Sequence, residues 1–334
     1  MVKNVIIKGV GSYHPEKTLY NDYYIEHYKR FGTENHAIGL MEKMGRDRRT
    51  IASPDETSIT MAVEAAKVAL ERSNLTPLDI DAIISASDTP EFLTPCCALI
   101  IKNELKAENA TNVFDINNDC IGMLTAIDIA SRFLKLDDKY KRILVLGSMN
   151  MLPFSREDDL VVYQGISDGA AAIILEIVEE EEERGFLGSR VFTDDSYNEN
   201  IRFPNCGLSK ITDEKTSNYD RRLKWDPFDF SFLSDEWTKL ISSLLRDYKL
   251  TPKQVSHYFI SQFSKYDLYQ TIEKLGVDKS KAIFIGDRYG YTGCASPIMA
   301  LDDKLSIEGF KSGDILIFCS VAAGYTMSSL IYKW

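Results

Sequence analysis

The run "FDINNDCIGMLTAIDIA", residues 114–130, carries an apolar strand-like segment into Asn117, Asn118, Asp119 and a thiol, Cys120, and continues as an amphipathic helix starting on the cysteine. A thiol at such a junction can pack, ligate a metal or act as a nucleophile. Nucleophilic work needs the thiolate, and free cysteine is mostly protonated near neutral pH because its reference pKa is about 8.5. Unpaired N–H groups and the positive dipole end of the following helix favour the anion; Asp119 opposes it if its side chain points the same way. The remaining cysteines, Cys96, Cys97, Cys206, Cys294 and Cys319, form no C-x-x-C and no Cys/His cluster. Zinc and a disulfide framework are therefore poor readings, and no metal is expected. Of the four histidines, His14, His27 and His36 lie in the N-terminal region with nothing pointing them at Cys120, and His257 lies on a strand-like run.

The elements that must position this thiol alternate between strand and helix, which argues for an α/β architecture. "SITMAVEAAKVALERSN" reads as an amphipathic helix, "DAIISAS" as a strand, "PCCALIIKNELK" as a helix, "NVFDIN" as a strand, and "RILVLGSM" and "AAAIILEIV" as two more strands. The acidic run Glu179 to Glu183 that follows reads as a solvated turn or strand end. This order then recurs. "LTPLDIDAIISAS" from Leu75 is echoed by "LTPKQVSHYFISQ" from Leu250, and "ILVLGS" from Ile143 by "ILIFCS" from Ile315, at offsets of 175 and 172 residues. Two matches at nearly one offset imply a tandem duplication of β-α-β-α-β-β halves packed face to face. The halves are placed at residues 1–180, carrying Cys120, and 181–334. Between them, the polar and aromatic stretch from Asp194 to Asp235 reads as a long excursion, a feature often functional in compact folds.

A chain of 334 residues, 44% of them apolar, is long enough for two core-forming units. A formal net charge of −11 disfavours a nucleic-acid partner. One basic patch, "GRDRRTIA", places Arg46, Arg48 and Arg49 near Lys43. The first apolar run is too short for a signal sequence, and no window approaches the roughly 18 apolar residues of a membrane span. A soluble, cytoplasmic protein is expected.

Taken as a set, "GVGSYHPE", "GRDRRTIA", "DETSITMAVEAAKVAL", "FDINNDCIG", "ISDGAAAIIL", "DRYGYTGCAS" and "AAGYTMSSLIYKW" resemble the thiolase superfamily, and within it the β-ketoacyl-(acyl carrier protein) synthase III group. The resemblance spans the chain and implies a five-layered α-β-α-β-α sandwich. It also implies a role for Cys120, which matches the cysteine that carries the acyl chain as a thioester. Gly324 matches the glycine whose N–H joins that of the nucleophile in binding the oxyanion. The family's decarboxylating His/Asn pair falls on Gln262 and Tyr291. Both can donate a hydrogen bond, but glutamine cannot shuttle a proton near neutral pH, so the base is lost. His257, about 16 Å along a strand and on its opposite face, does not replace it.

The coenzyme A clamp departs as well: Gly39 and Leu160 stand at the adenine-stacking Trp and Arg positions, and only Lys43 keeps its charge. Acyl-coenzyme A or an acyl-phosphopantetheine carrier is the implied substrate, with no tightly bound cofactor. Lys43, Arg46 and Arg48 are the candidate cofactor-binding residues, Lys43 at the family's phosphate-side arginine position and Arg46, Arg48 and Arg49 as a basic patch for the acidic surface of an acyl carrier protein. Thr94 stands where the family uses an aromatic to limit the acyl pocket, implying a longer one. The resemblance implies a dimer. The function it implies is acylation of Cys120 followed by condensation with a malonyl-type carrier-bound acceptor, in fatty-acid-like or polyketide metabolism. Plain acyl transfer through the same cysteine, or a degenerate subunit completing a heterodimer, are the alternatives.

Overall fold

The two Leu-Thr-Pro segments build the same local device. Thr76 donates from its backbone N–H and its hydroxyl to Asp79 Oδ2, both at 2.8 Å. Thr251 does the same toward Gln254 Oε1, at 2.9 and 2.8 Å. Proline at the first position of each single 3₁₀ turn, Pro77–Asp79 and Pro252–Gln254, costs no hydrogen bond there, and each turn feeds a buried strand. In this computed structural model, which describes residues 1–334, those strands occupy equivalent places in two sheets.

The first sheet contains β1 (Val2–Tyr13), β2 (Ala82–Ser87), β3 (Asn112–Ile116), β4 (Arg142–Met149) and β5 (Gly169–Glu180), in the order β1-β5-β4-β2-β3. The second contains β6 (Gly185–Thr193), β7 (Val255–Ile260), β8 (Ile315–Ala322) and β9 (Thr326–Lys333), in the order β6-β9-β8-β7. In both, the strand after the Leu-Thr-Pro turn runs parallel to its inner neighbour, which pairs antiparallel with the strand that follows it. Central strands such as β2 and β8 are buried along their whole length, the signature of a sheet covered on both faces.

The helices needed here are α1 (Asn21–Lys29), α2 (Glu34–Met44), α3 (Ser58–Arg72), α4 (Cys97–Leu105), α5 (Gly122–Leu136), α6 (Leu233–Asp247), α7 (Lys265–Lys274) and α8 (Ser296–Ile307). Met123, Leu124 and Ile127 of α5 and Ile298 and Leu301 of α8 lie between the sheets, packed on Ile84, Val145, Phe259 and Phe318. Small residues of α3 and α4 cover the outer face of the first sheet, and Trp237 and Ile241 of α6 with Leu268 of α7 cover that of the second. The expected α-β-α-β-α sandwich is therefore the observed one. Between β6 and α6 the aromatic excursion is mostly irregular, with one short strand pair, Ile201–Arg202 against Lys224–Trp225, and it folds back over the end of β3.

Candidate active site

Cys120 is placed from both sides of the sandwich. After β3 the chain makes a single 3₁₀ turn, Asp119–Ile121, and α5 begins at Gly122, two residues past the cysteine rather than on it. The Asn118 side chain donates to Thr125 Oγ1 at 2.9 Å, tying the turn to α5. From the second sheet, Ser320 Oγ donates to the Cys120 carbonyl at 3.1 Å. The thiol itself donates to Asp88 Oδ2 at 3.4 Å, Asp88 being the residue that follows β2. Sγ of Cys120 and one carboxylate oxygen each of Asp88 and Asp119 lie within 4.8 Å of one another. Two hard oxygens and a soft sulfur with no histidine are an ill-matched set for a common protein metal.

The electrostatics run opposite to the helix-end expectation. Burial pushes the Cys120 thiol well above its ordinary range, the charges of Asp119 and Asp88 push it the same way, and a hydrogen bond from the Tyr291 phenol pulls it back. Burial, then the charge of Asp119, drive the Asp88 carboxyl well above the usual carboxylate range. Asp119 is raised too, by burial, but its carboxylate takes the Ala323 N–H and lies against the Cys120 N–H, and both hold it down. The Cys120 amide, expected to bind an oxyanion, thus already faces a carboxylate. Asp119 adopts φ +47°, the left-handed region that costs a non-glycine residue about 1 kcal/mol or more.

Among the residues expected at the site, Tyr291 and Gly324 do line the same cavity as Cys120. Tyr291 is fixed by its carbonyl, which accepts from Ser167 N–H at 2.8 Å, and its ring packs edge-on against Phe263. Gly324, at φ +72°, makes the turn between β8 and β9 in a conformation that favours glycine. Gln262 does not reach the cavity. Its amide donates to the carbonyls of Ile260 (2.8 Å) and Ile283 (3.0 Å) and accepts from the N–H groups of Ile285 (2.7 Å) and Gly286 (3.3 Å), so its bonding capacity is spent on backbone. The neighbours on either side face the site instead. Phe263 lines the cavity, and the fully buried Ser261 hydroxyl lies beside the Tyr291 phenol.

The basic patch also dissolves. Arg46 is 1% exposed and donates to the carbonyls of Gly165, Met44, Gln262 and Phe263, a cross-brace between α2 and the loop after β7. Arg49 is equally buried, bonded to Gln164 and set over the Tyr24 ring. Arg48 is half-buried, its Nε on the Arg288 carbonyl. Only Lys43 remains an exposed cation of the set. No histidine lines the cavity: His257 packs against Phe310, His14 stacks on Tyr289 and His27 on Tyr163.

A family model for 3-oxoacyl-[acyl-carrier-protein] synthase III matches residues 114–195, and the model for the C-terminal part of the same enzymes matches residues 245–334. The chain is 30% identical to the β-ketoacyl-[acyl-carrier-protein] synthase III of Caldanaerobacter subterraneus subsp. tengcongensis, over 98% of this chain and 97% of that one. It belongs to the synthase III family. The corresponding enzyme of Solibacter usitatus is 28% identical, with 98% of each chain covered. The crystal structure of 3-oxoacyl-[acyl-carrier-protein] synthase III from Aquifex aeolicus superposes with a TM-score of 0.83 at 26% identity, covering 99% of this chain and all of that one.

Two hollows in this synthase III fold share one wall of aromatics. A surface groove of about 820 Å³ is lined by Gly39 and Lys43 on α2 and by Tyr266 and Lys274 of α7. An inner cavity of about 70 Å³ holds Cys120, Asp88, Asp119, Tyr291 and Gly324. Trp225, Phe228, Phe230 and Phe263 line both, and the Phe228 and Phe230 rings lie 3.9 Å apart. Three of the four come from the long excursion, so that segment forms the lid of the site. Leu160 packs on the tyrosine cluster under α1 and lies outside the groove. The sequence reading missed Asp88, Ser261 and this aromatic wall. Asp88 had one signal, its place at the carboxyl end of a parallel strand, where α/β proteins build their sites.

Proposed function

We propose that the protein is a synthase III-type acyltransferase in which the Cys120 thiol takes an acyl group from acyl-coenzyme A or an acyl-phosphopantetheine carrier and passes it on. The observation that carries this is the Cys120 sulfur standing in an apolar cavity with Tyr291 and Gly324, one wall away from an open groove. The first half, residues 1–180, contributes the nucleophile, and the second, 181–334, contributes Tyr291, Gly324 and the lid. Lys43 at the groove rim is the remaining cation for a carrier's acidic surface. A second copy of the chain would cover the half-buried edge strand β3 and the exposed Phe92, Leu93 and Leu99 beside it. Thr94, exposed in that loop, would face the copy. No helix is long and apolar enough to cross a membrane, which suits a cytoplasmic enzyme.

Family membership favours condensation with a malonyl-type acceptor, with Tyr291 as the hydrogen-bond donor to its thioester carbonyl. A second reading, transfer to a neutral hydroxyl, amine or thiol, is favoured by one observation: Asp88 and Asp119 line the cavity while no Lys, Arg or His does. A malonyl carboxylate brought there meets like charge in a low dielectric without a counter-ion. The test supplies acyl donor with either malonyl-carrier protein or neutral acceptors. Carbon dioxide release coupled to a β-ketoacyl product, absent in Cys120→Ala, is the expected result of condensation. Cys120-dependent acyl transfer without carbon dioxide release selects the second reading, and neither product from any pairing overturns both.

A further inference from the structure

The site has lost every histidine, yet a thiol whose pKa is pushed up by burial must still give away its proton to attack a thioester. We propose that Asp88 is the base for Cys120: Oδ2 of Asp88 accepts the thiol proton as the sulfur attacks, and returns it to the leaving group. Asp88 touches the reacting sulfur directly, at 3.4 Å. The thiol supplies the one hydrogen bond this carboxylate receives; Oδ1 is sealed from solvent and unpartnered. A carboxylate that the fold needed for structure would be tied down by N–H donors, as Asp119 is by Ala323. Room for Asp88 is also built in. Gly293 sits at φ +52° directly against it, and a Cβ at that position would clash with Oδ2.

The other titratable groups facing Asp88 do not compete for the proton. Asp119 is engaged by backbone N–H groups, the Tyr291 phenol acts as a donor, and the Cys294 thiol donates to the Ala86 carbonyl. The two carboxyls divide the work in the way paired acids do when their surroundings separate them. Asp119 is the anion that N–H donors stabilise, and Asp88, lifted well above the usual range by burial and by Asp119, is the stronger base.

The step balances without any further reagent. The S–H bond of Cys120 breaks and an O–H bond forms on Asp88, while the sulfur lone pair attacks the thioester carbon. The tetrahedral intermediate collapses, the C–S bond to the donor breaks, and the departing thiolate takes the proton from Asp88, leaving an S-acyl cysteine and a neutral donor thiol.

This inference rests on the acyl-transfer reading, and its test has an arm that does not. Asp88→Asn and Asp88→Glu are compared with the native chain in two single-turnover assays followed by intact mass: acylation of Cys120 by acyl-coenzyme A, and alkylation of Cys120 by iodoacetamide, each from about pH 5 to 10. A carboxyl with a raised pKa serves as base only above that pKa, so the native rates should rise through the Asp88 titration and then level. Asp88→Asn should be slower near neutral pH by about 10² to 10⁴, the usual worth of a positioned base, and should keep climbing into alkali with the thiol's own ionisation. Asp88→Glu should recover part of the loss. An Asp88→Asn chain that matches native rate and pH profile in both assays overturns the proposal. Failure of the acyl-transfer reading looks different: no donor acylates the native chain, while the alkylation contrast persists and upholds the Asp88–Cys120 proton relay.

Discussion

Asp119→Gly is expected to speed acylation of Cys120 by up to about 10², the worth of one oxyanion donor. The carboxylate of Asp119 takes the Ala323 N–H and lies against that of Cys120, the amide at which a thioester oxygen would be stabilised. Its charge also opposes the thiolate, second only to burial. Removing the side chain frees the amides and removes the like charge, so the thiol should ionise, and react with iodoacetamide, at lower pH than in the native chain. Glycine carries little fold penalty here, because φ +47° already lies in the region that glycine prefers. Single-turnover acylation and the pH profile of alkylation check this together. An Asp119→Gly chain with native rate and native profile would mean that the carboxylate does not compete with substrate for the site.

Loss of Gln262 should act on stability instead of chemistry. Its side chain satisfies the carbonyls of Ile260 and Ile283 and the N–H groups of Ile285 and Gly286, all in the interior. These bonds hold the end of β7 against the segment leading to Tyr291. Gln262→Leu strands up to four backbone groups at about 1–3 kcal/mol each; since the Gly286 bond is long, a net loss on the order of 4 kcal/mol is expected. Urea unfolding measures it, and a loss below about 1 kcal/mol would show that the bonds are replaceable. The same geometry predicts that Gln262→His restores no base to the cavity, since the side chain is held on backbone groups and does not line the cavity.

Much of the layered fold was legible because its causes are local. The apolar runs of β2, β4 and β8, the Leu-Thr-Pro turns closed by Asp79 and Gln254, and the helical spacing of α3 and α5 are each written within about fifteen residues. Cys120, Tyr291 and Gly324 were legible through motifs that span the chain. Gln262 was misread because β7 ends at Ile260, and beyond a strand's end the alternation that assigns sides no longer holds; a shift of one residue exchanges cavity for backbone. Arg46 and Arg49 were misread as surface because charge in sequence ordinarily means exposure, whereas here carbonyls from distant segments converge to satisfy each guanidinium. Asp88 lies 32 residues from Cys120 in the chain, and only the pairing of β2 with β3 brings them together.

The central claim is that the Cys120 sulfur forms a thioester. Incubating the chain with acyl-coenzyme A or acyl-carrier donors, then measuring intact mass and mapping the modified peptide, tests it most directly. The expected result is one acyl group per chain, located on Cys120, labile to hydroxylamine and absent from Cys120→Ala. An unmodified chain with every donor, or acylation that persists in Cys120→Ala, would contradict it.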